Sequence, residues 1–255
     1  MATIIASKNP KGLNVQCQLY KELLEDALNR FYKEDAKELF DNNPVGEWAM
    51  VGCIARYVWC GRQCDKYKEL LQHVDVEYNK MGTSEKALIK AFDRVFECKG
   101  KCLDGRYKEC GSLIQSRIDA NCSCSPSCQK VDCSKHKYRF RPDLIVHKRG
   151  TRGADDGNGM VVEFKKDGAN DEDIAFDCAK IRYCTCRHAE FKYKIGAFVL
   201  LKRDSADVQI FVDGQKSGDS FRVDGTKAGE WCCRAADCIQ PEHGCERRFK
   251  KVKRS

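Results

Sequence analysis

The first regular pattern in the chain runs from position 14 to 40, where apolar side chains recur every three or four residues. The recurring positions are Leu19, Leu23, Leu24, Ala27, Leu28 and Phe31. This spacing places them on one face of a helix. The run Asn42-Asn43-Pro44 interrupts the pattern, and Pro44 suits the first turn of a second helix. That second helix is expected to pass through Cys60 and continue to Leu71.

Alternating apolar and polar positions predict strands further along the chain. The predicted strands lie at 73–79, 138–147, 159–166, 195–202 and 208–213, and the predicted helices of this part lie at 84–97, 106–119 and 171–188. The polar segment at 150–158 would join two of the strands as a hairpin loop. This order favours an α/β fold with a mixed β-sheet flanked by helices.

Changes in composition divide the chain into four predicted parts. These are an N-terminal helical segment at 1–43, an α/β core at 44–80 and 138–220, a cysteine-rich insertion at 81–137, and a cysteine-containing basic tail at 221–255. With 255 residues, the chain is long enough for one sizeable core. Apolar residues make up 42% and charged residues 33%, which is typical of a globular protein.

Charge and hydropathy restrict the partners that can be expected. No apolar run approaches the roughly 20 residues of a membrane span, so no membrane partner is predicted. The net charge of +8 suggests nucleic acid, but six basic residues lie in 247–255 and leave 8 − 6 = +2 for the rest. The basic tail could bind phosphate, or it could be a solvated terminus.

The chain contains 18 cysteines, and its N-terminus lacks the apolar segment of a secretory signal. We therefore expect a cytoplasmic protein with thiols or metal ligands rather than disulfides. The candidate ligands of a structural zinc ion are Cys98, Cys102, Cys122, Cys124, Cys128, Cys133 and His136. A second candidate group is Cys232, Cys233, Cys238, His243 and Cys245. The alternative is that these cysteines lie in reduced loops or serve as small core residues.

Two acidic residues and a lysine on neighbouring strands are the main candidates for chemistry. Side chains alternate along a strand, so Glu163 and Lys165 should share one face while Phe164 faces the opposite way. If 138–147 pairs with this strand, Asp143 converges on Glu163. Two close carboxylates repel unless a cation lies between them, and oxygen ligands suit Mg²⁺. Lys165 would then orient the attacking water or stabilise charge on a phosphate.

Glu47 is a candidate third acid because it stands at the end of the apolar stripe of the second helix. A buried carboxylate needs a partner, and Mg²⁺ could be the partner of Glu47. Simpler interpretations remain open at each position. Glu47 could be a first-turn glutamate favoured by the helix dipole. Asp143 could be an ordinary residue at the start of a strand, and Glu163 with Lys165 a solvent-facing pair. Earlier in the chain, Asp75 could extend the acidic site or form a structural salt bridge. Later in the chain, Lys180 could approach the substrate or lie on a solvated helix face.

Longer strings around these residues resemble a known enzyme superfamily. RPDLIVHKRG at 141–150, followed by MVVEFKK at 160–166, resembles the PD-(D/E)XK nucleases. HVDVEYNK at 73–80 and EWAMVGCIARY at 47–57 are similar to a small bacterial group within that superfamily. The resemblance covers about residues 44–80 and 138–202. The cysteine-rich insertion departs from the pattern.

The resemblance implies a restriction-endonuclease-like fold and a metal-dependent nuclease that acts on nucleic acid, with DNA as the favoured substrate. It implies that Asp143 and Glu163 bind Mg²⁺ or Mn²⁺, that Lys165 is the catalytic lysine, and that Glu47 is the acid supplied by the first core helix. The alternative is a catalytically inactive nuclease-fold protein that binds nucleic acid or partners through a zinc module and the basic tail. A homodimer is left open.

Overall fold

The computed structural model describes residues 13–41, 46–70, 73–76, 141–147, 157–187 and 191–225, together with the backbone at 80–81 and 84–85. The helices are α1 (Val15–Glu34), α2 (Ala36–Asp41), α3 (Glu47–Cys60) and α4 (Asp171–Thr185). The strands are β1 (His73–Val76), β2 (Lys80–Met81), β3 (Ser84–Glu85), β4 (Leu144–His147), β5 (Asn158–Lys166), β6 (Ile195–Leu201), β7 (Ser205–Val212), β8 (Gln215–Lys216) and β9 (Phe221–Asp224).

Seven of these strands form one mixed sheet in the order β1-β4-β5-β6-β7-β8, with β9 also paired to β7. Strand β4 is antiparallel to both of its neighbours, β1 and β5, whereas β5 and β6 are parallel. Helix α4 connects the parallel pair, as a parallel crossover requires. The short β2 and β3 form a separate antiparallel pair. Strand β5 therefore lies inside the sheet, with β4 on one side and β6 on the other.

The two faces of the sheet are covered by different helices. Helices α1 and α3 bury Leu23, Leu28 and Ile54 against a large core that includes Val162 and Phe164 of β5. On the opposite face, Ile181 of α4 packs with Phe198 and Phe211. The alternation predicted for β5 is confirmed, because its apolar side chains enter the large core. Its other face, which carries Glu163 and Lys165, is directed towards α4.

Local sequence explains where two of the helices begin. The side chain of Asn14 accepts a hydrogen bond from the backbone N–H of Cys17 at 2.9 Å and caps α1. Asn170 caps α4 in the same way by accepting from the N–H of Asp173 at 2.8 Å. The first turn of α4 is also acidic, which complements the positive end of the helix dipole. These caps fix the start of the helix that covers the site.

Several predicted boundaries differ from the observed ones. The helical pattern at 14–40 is confirmed, but it divides into α1 and α2 at Asp35. The predicted continuation of the second helix to Leu71 is wrong, since α3 ends at Cys60 and turns follow. The helix predicted from position 84 is wrong at its start, where 84–85 form β3. Strand β4 begins only at Leu144, and β9 (Phe221–Asp224) is a strand that the sequence pattern did not predict. Pro44 and the predicted helix at 106–119 lie outside the described residues.

Gly196 permits the close approach of α4 to the sheet, and its replacement should destabilise the fold. A Cβ atom at this position would overlap the Ile181 side chain and lie 2.9 Å from Cγ2 of Thr185. We expect Gly196→Ala to reduce the free energy of unfolding by about 1–3 kcal/mol through overpacking. Gly52→Ala in α3 is the matched control, because a Cβ there meets no atom within 4 Å. That control should be neutral or stabilising by up to about 1 kcal/mol. Equal stability of the two variants in urea unfolding would contradict the packing argument.

Candidate active site

Pairing of β4 with β5 brings Asp143 to the strand that carries Glu163. Leu144 lies opposite Val162, so Asp143 immediately precedes the paired segment on the side of Glu163. The Asp143 carboxylate accepts a hydrogen bond from the backbone N–H of Phe164 at 2.7 Å. This bond fixes one carboxylate oxygen of Asp143 against the centre of the Glu163-Phe164-Lys165 triplet. The predicted meeting of the two acids thus has a specific geometric basis.

Glu47 meets the same triplet from the other side of the sheet. It occupies the first turn of α3, and its Oε2 accepts a hydrogen bond from the backbone N–H of Lys166 at 3.1 Å. Its Oε1 lies 3.7 Å from Nζ of Lys165. Glu47 therefore contacts the lysine and the end of β5. Among the described residues, no group of three or more His, Cys, Asp or Glu side chains has the arrangement of a metal site. The role of Glu47 as a metal ligand stays a prediction.

Helix α4 supplies two charged residues to the site. The sequence left Lys180 open as a substrate contact or a solvated residue, and it gave Asp177 no role. Nζ of Lys180 lies 3.0 Å from Oε1 of Glu163 and 2.6 Å from Oδ1 of Asp177. The other oxygen of Asp177, Oδ2, lies 3.0 Å from Nζ of Lys165. Both α4 side chains are buried, with exposures of 5% for Asp177 and 8% for Lys180. The solvated helix face considered for Lys180 is therefore wrong.

Together these contacts form what we call the charge cluster. Its members are Glu47, Asp143, Glu163, Lys165, Asp177 and Lys180. It extends from the almost completely buried Glu163 to Lys165 and Glu47, whose side chains are 22% and 30% exposed. The cluster is thus closed at one end by α4 and open to solvent at the other.

Burial and neighbouring charge alter the protonation equilibria of the cluster. Burial raises the pKa of Asp143 to about 6, although the Phe164 N–H and the two lysines oppose this shift. Burial also raises the pKa of Glu163, which Lys180 opposes and Asp143 and Asp177 reinforce. Burial alone would lower the pKa of Lys180, but Glu163 and Asp177 raise it above its usual range. The pKa of Lys165 is likewise raised, mainly by Asp177, against the effect of burial. Both lysines therefore carry full positive charge at neutral pH.

The oxygen atoms of the cluster suit a hard divalent cation. Oε1 of Glu163 and Oδ2 of Asp177 are buried, and each lies 3.0 Å from an ammonium nitrogen that compensates its charge. With four carboxylates and two ammonium groups, the cluster still has an excess of negative charge that a divalent cation would balance. Mg²⁺ binds through one or two carboxylates and retains several waters. Asp143 and Glu163 fit this requirement as a two-carboxylate set.

Other predicted site residues have different outcomes. The Asp75 carboxylate lies 2.7 Å from Nε2 of His147, so it forms a structural contact across β1 and β4. The candidate zinc ligands at 98–136 and 232–245 lie outside the described residues, as do the basic residues at 247–255. Cys17, Cys53 and Cys186 are free thiols, and burial raises the pKa of Cys53 to about 11. Such a thiol stays protonated and unreactive at neutral pH.

Comparisons with known proteins add no relative to this account. No family model matches the chain, and neither a curated protein nor a solved structure matches it. In the part of the chain that the structure describes, no helix has both the length and the apolar character to span a membrane. Any function of this chain therefore has to be inferred from the geometry of the charge cluster and from the motif strings around it.

Proposed function

We propose that this protein is a metal-dependent nuclease that hydrolyses phosphodiester bonds in nucleic acid, with DNA as the favoured substrate, on a restriction-endonuclease-like fold. The observation that carries the proposal is the hydrogen bond from the Phe164 N–H to Asp143, which joins the Pro142-Asp143 segment just before β4 to the Glu163-Phe164-Lys165 strand. The mixed sheet with helices on both faces is consistent with the fold implied by the motif strings. Neither E-x-K nor P-D alone would support this assignment.

Asp143 and Glu163 would hold the divalent cation in this proposal. When bound, Mg²⁺ would supply positive charge to the scissile phosphate and favour ionisation of the attacking water. Other groups of the protein hold the two carboxylates in position. The Phe164 N–H orients Asp143, and Lys180 orients Glu163 from the helix side. These fixed contacts reduce the reorganisation that would otherwise accompany catalysis.

In this proposal Lys165 acts on the substrate itself. It is the more exposed of the two lysines, and Asp177 and Glu47 hold its ammonium group from two directions. Its raised pKa keeps the group charged at neutral pH. A fixed ammonium at the open end of the cluster can stabilise the negative charge that develops on phosphate oxygens. It can also donate a hydrogen bond that positions the attacking water.

The proposal is tested by a cleavage panel. Wild-type protein and Asp143→Asn would be incubated with plasmid DNA, single-stranded DNA and single-stranded RNA in Mg²⁺, Mn²⁺ or EDTA. We expect cleavage of at least one substrate by the wild type, its loss in EDTA, and a decrease of at least about hundredfold in the variant. Cleavage that persists in EDTA, or equal activity of both proteins, would refute the assignment.

A second candidate function is supported by the ion pairs within the cluster. Lys180 already compensates Glu163, so the acidic residues could form a structural network in a protein that binds nucleic acid without cutting it. In that case binding would survive both EDTA and Asp143→Asn, and no metal would support cleavage. A filter-binding assay on the same substrates separates the two functions.

A further inference from the structure

The two lysines of the charge cluster have different surroundings. Lys165 reaches the open end, whereas Lys180 is inserted from α4 between Glu163 and Asp177. No described contact places Lys180 near the exposed end where a phosphate would approach. Its ammonium nitrogen is instead 3.0 Å from a carboxylate oxygen of Glu163, one of the two acids assigned to the cation. Lys180 and a divalent cation would therefore interact with the same carboxylate.

The net charge of the cluster predicts how Lys180 and Asp177 affect cation binding. The cluster contains four carboxylates and two ammonium groups, which leave a net charge of −2 when all are ionised. One divalent cation would neutralise this excess. Uncompensated charge is costly in a partly desolvated site, so each unit of charge on α4 should alter the affinity for that cation.

We propose that Lys180 is a built-in counter-cation for Glu163. It keeps the metal-free site folded and lowers the affinity of the site for the divalent ion. Asp177 opposes the effect on affinity, because it holds Lys180 and adds negative charge to the site. This inference rests on the proposed metal-dependent function. It assigns positioning roles to two α4 residues that neither the P-D nor the E-x-K motif contains. Lys180 thereby sets the cation concentration at which the site fills.

The test measures Mn²⁺ binding rather than activity. Dissociation constants would be determined by electron paramagnetic resonance of free Mn²⁺ at pH 8 for wild type, Lys180→Met and Asp177→Asn. Lys180→Met should bind Mn²⁺ about tenfold more tightly, because a positive charge is removed next to the ligand. Asp177→Asn should bind about tenfold more weakly, because the net charge becomes less negative. Lys68→Met is the charge-matched control, since Lys68 pairs with Asp65 at an exposed position and should leave binding unchanged.

Thermal unfolding provides a second measurement on the same proteins. Without metal, Lys180→Met should be less stable than wild type, since it leaves Glu163 buried without its counter-ion. Saturating Mn²⁺ should raise its Tm by more than it raises that of the wild type. If Lys180→Met is unfolded without metal, recovery of its circular dichroism spectrum on Mn²⁺ addition supports the proposal, and failure to recover overturns it.

The outcomes separate this inference from the proposed function. Wild-type protein that binds Mn²⁺ and cleaves nucleic acid, with unchanged or weaker binding in Lys180→Met, would overturn the counter-cation role alone. Unchanged or tighter binding in Asp177→Asn would overturn the role of Asp177. Absence of Mn²⁺ binding in every protein, together with absence of cleavage, would overturn both this inference and the nuclease assignment.

Discussion

Replacing Lys165 with alanine is expected to reduce the rate of cleavage by at least about hundredfold while the protein stays folded. The ammonium group is the charged donor at the open end of the cluster, held 3.0 Å from Asp177 and 3.7 Å from Glu47. Its loss removes charge stabilisation from the site. Because Asp177 keeps its contact with Lys180, the variant should retain the wild-type circular dichroism spectrum.

Two controls distinguish a catalytic effect of Lys165 from a general one. Lys68→Ala removes an equivalent charge at an exposed ion pair and should leave the rate unchanged. Lys165→Arg keeps the positive charge and should recover part of the activity, although the planar guanidinium has a different geometry. A Lys165→Ala protein with wild-type activity would show that the lysine is structural. If Lys165→Ala loses activity because it unfolds, the folded Lys165→Arg variant decides the role of the lysine. Wild-type activity of Lys165→Arg would then favour the charge-based role.

Replacing Asp143 with asparagine should abolish cleavage and yet stabilise the metal-free protein at neutral pH by about 2 kcal/mol. Burial raises the pKa of Asp143 from its ordinary value of 3.8 to about 6, so the folded state disfavours the charged carboxylate. Asparagine is neutral, has nearly the same shape, and can still accept the hydrogen bond from the Phe164 N–H. The stabilisation is smaller than the full shift implies because the side chain is partly exposed to solvent.

The pH dependence of this effect has a defined sign. Between pH 4 and 6 the folded protein binds more protons at Asp143 than the unfolded chain does. The contribution of Asp143 to stability is therefore present below about pH 4 and is lost as the pH rises through 6. In EDTA, the stability difference between Asp143→Asn and wild type should be near zero at pH 4 and reach its full size at pH 7. Urea unfolding at both pH values measures it, and a pH-independent difference would contradict the assigned burial.

The division of β5 into two faces was predictable from sequence because the alternation of side chains along a strand is a local property. Val162 and Phe164 are apolar and flank a charged residue, so their burial on one side required no knowledge of the fold. The approach of Asp143 to this strand was also predictable, since a polar loop joins the two segments and favours antiparallel pairing. These two inferences located the centre of the charge cluster.

The contribution of α4 was harder to predict from sequence, because the burial of a helix face depends on its tertiary partners. Asp177 and Lys180 are three residues apart and have the composition of a solvent-exposed ion pair. Only the packing of Ile181 and Gly196 shows that this face lies against the sheet. A usable signal was the apolar character of their neighbours Phe176, Ala179 and Ile181. The end of α3 at Cys60 was missed although Gly61, which caps it, is a residue that commonly follows the end of a helix.

Cleavage of supercoiled plasmid DNA in Mg²⁺, followed side by side for wild type, Lys165→Ala and Lys68→Ala, tests the central assignment most directly. Conversion of the plasmid by wild type and Lys68→Ala, with a rate at least about hundredfold lower for folded Lys165→Ala and no conversion in EDTA, is the predicted result. Equal rates for all three proteins, or conversion that continues in EDTA, would contradict the proposal that the charge cluster is a metal-dependent nuclease site.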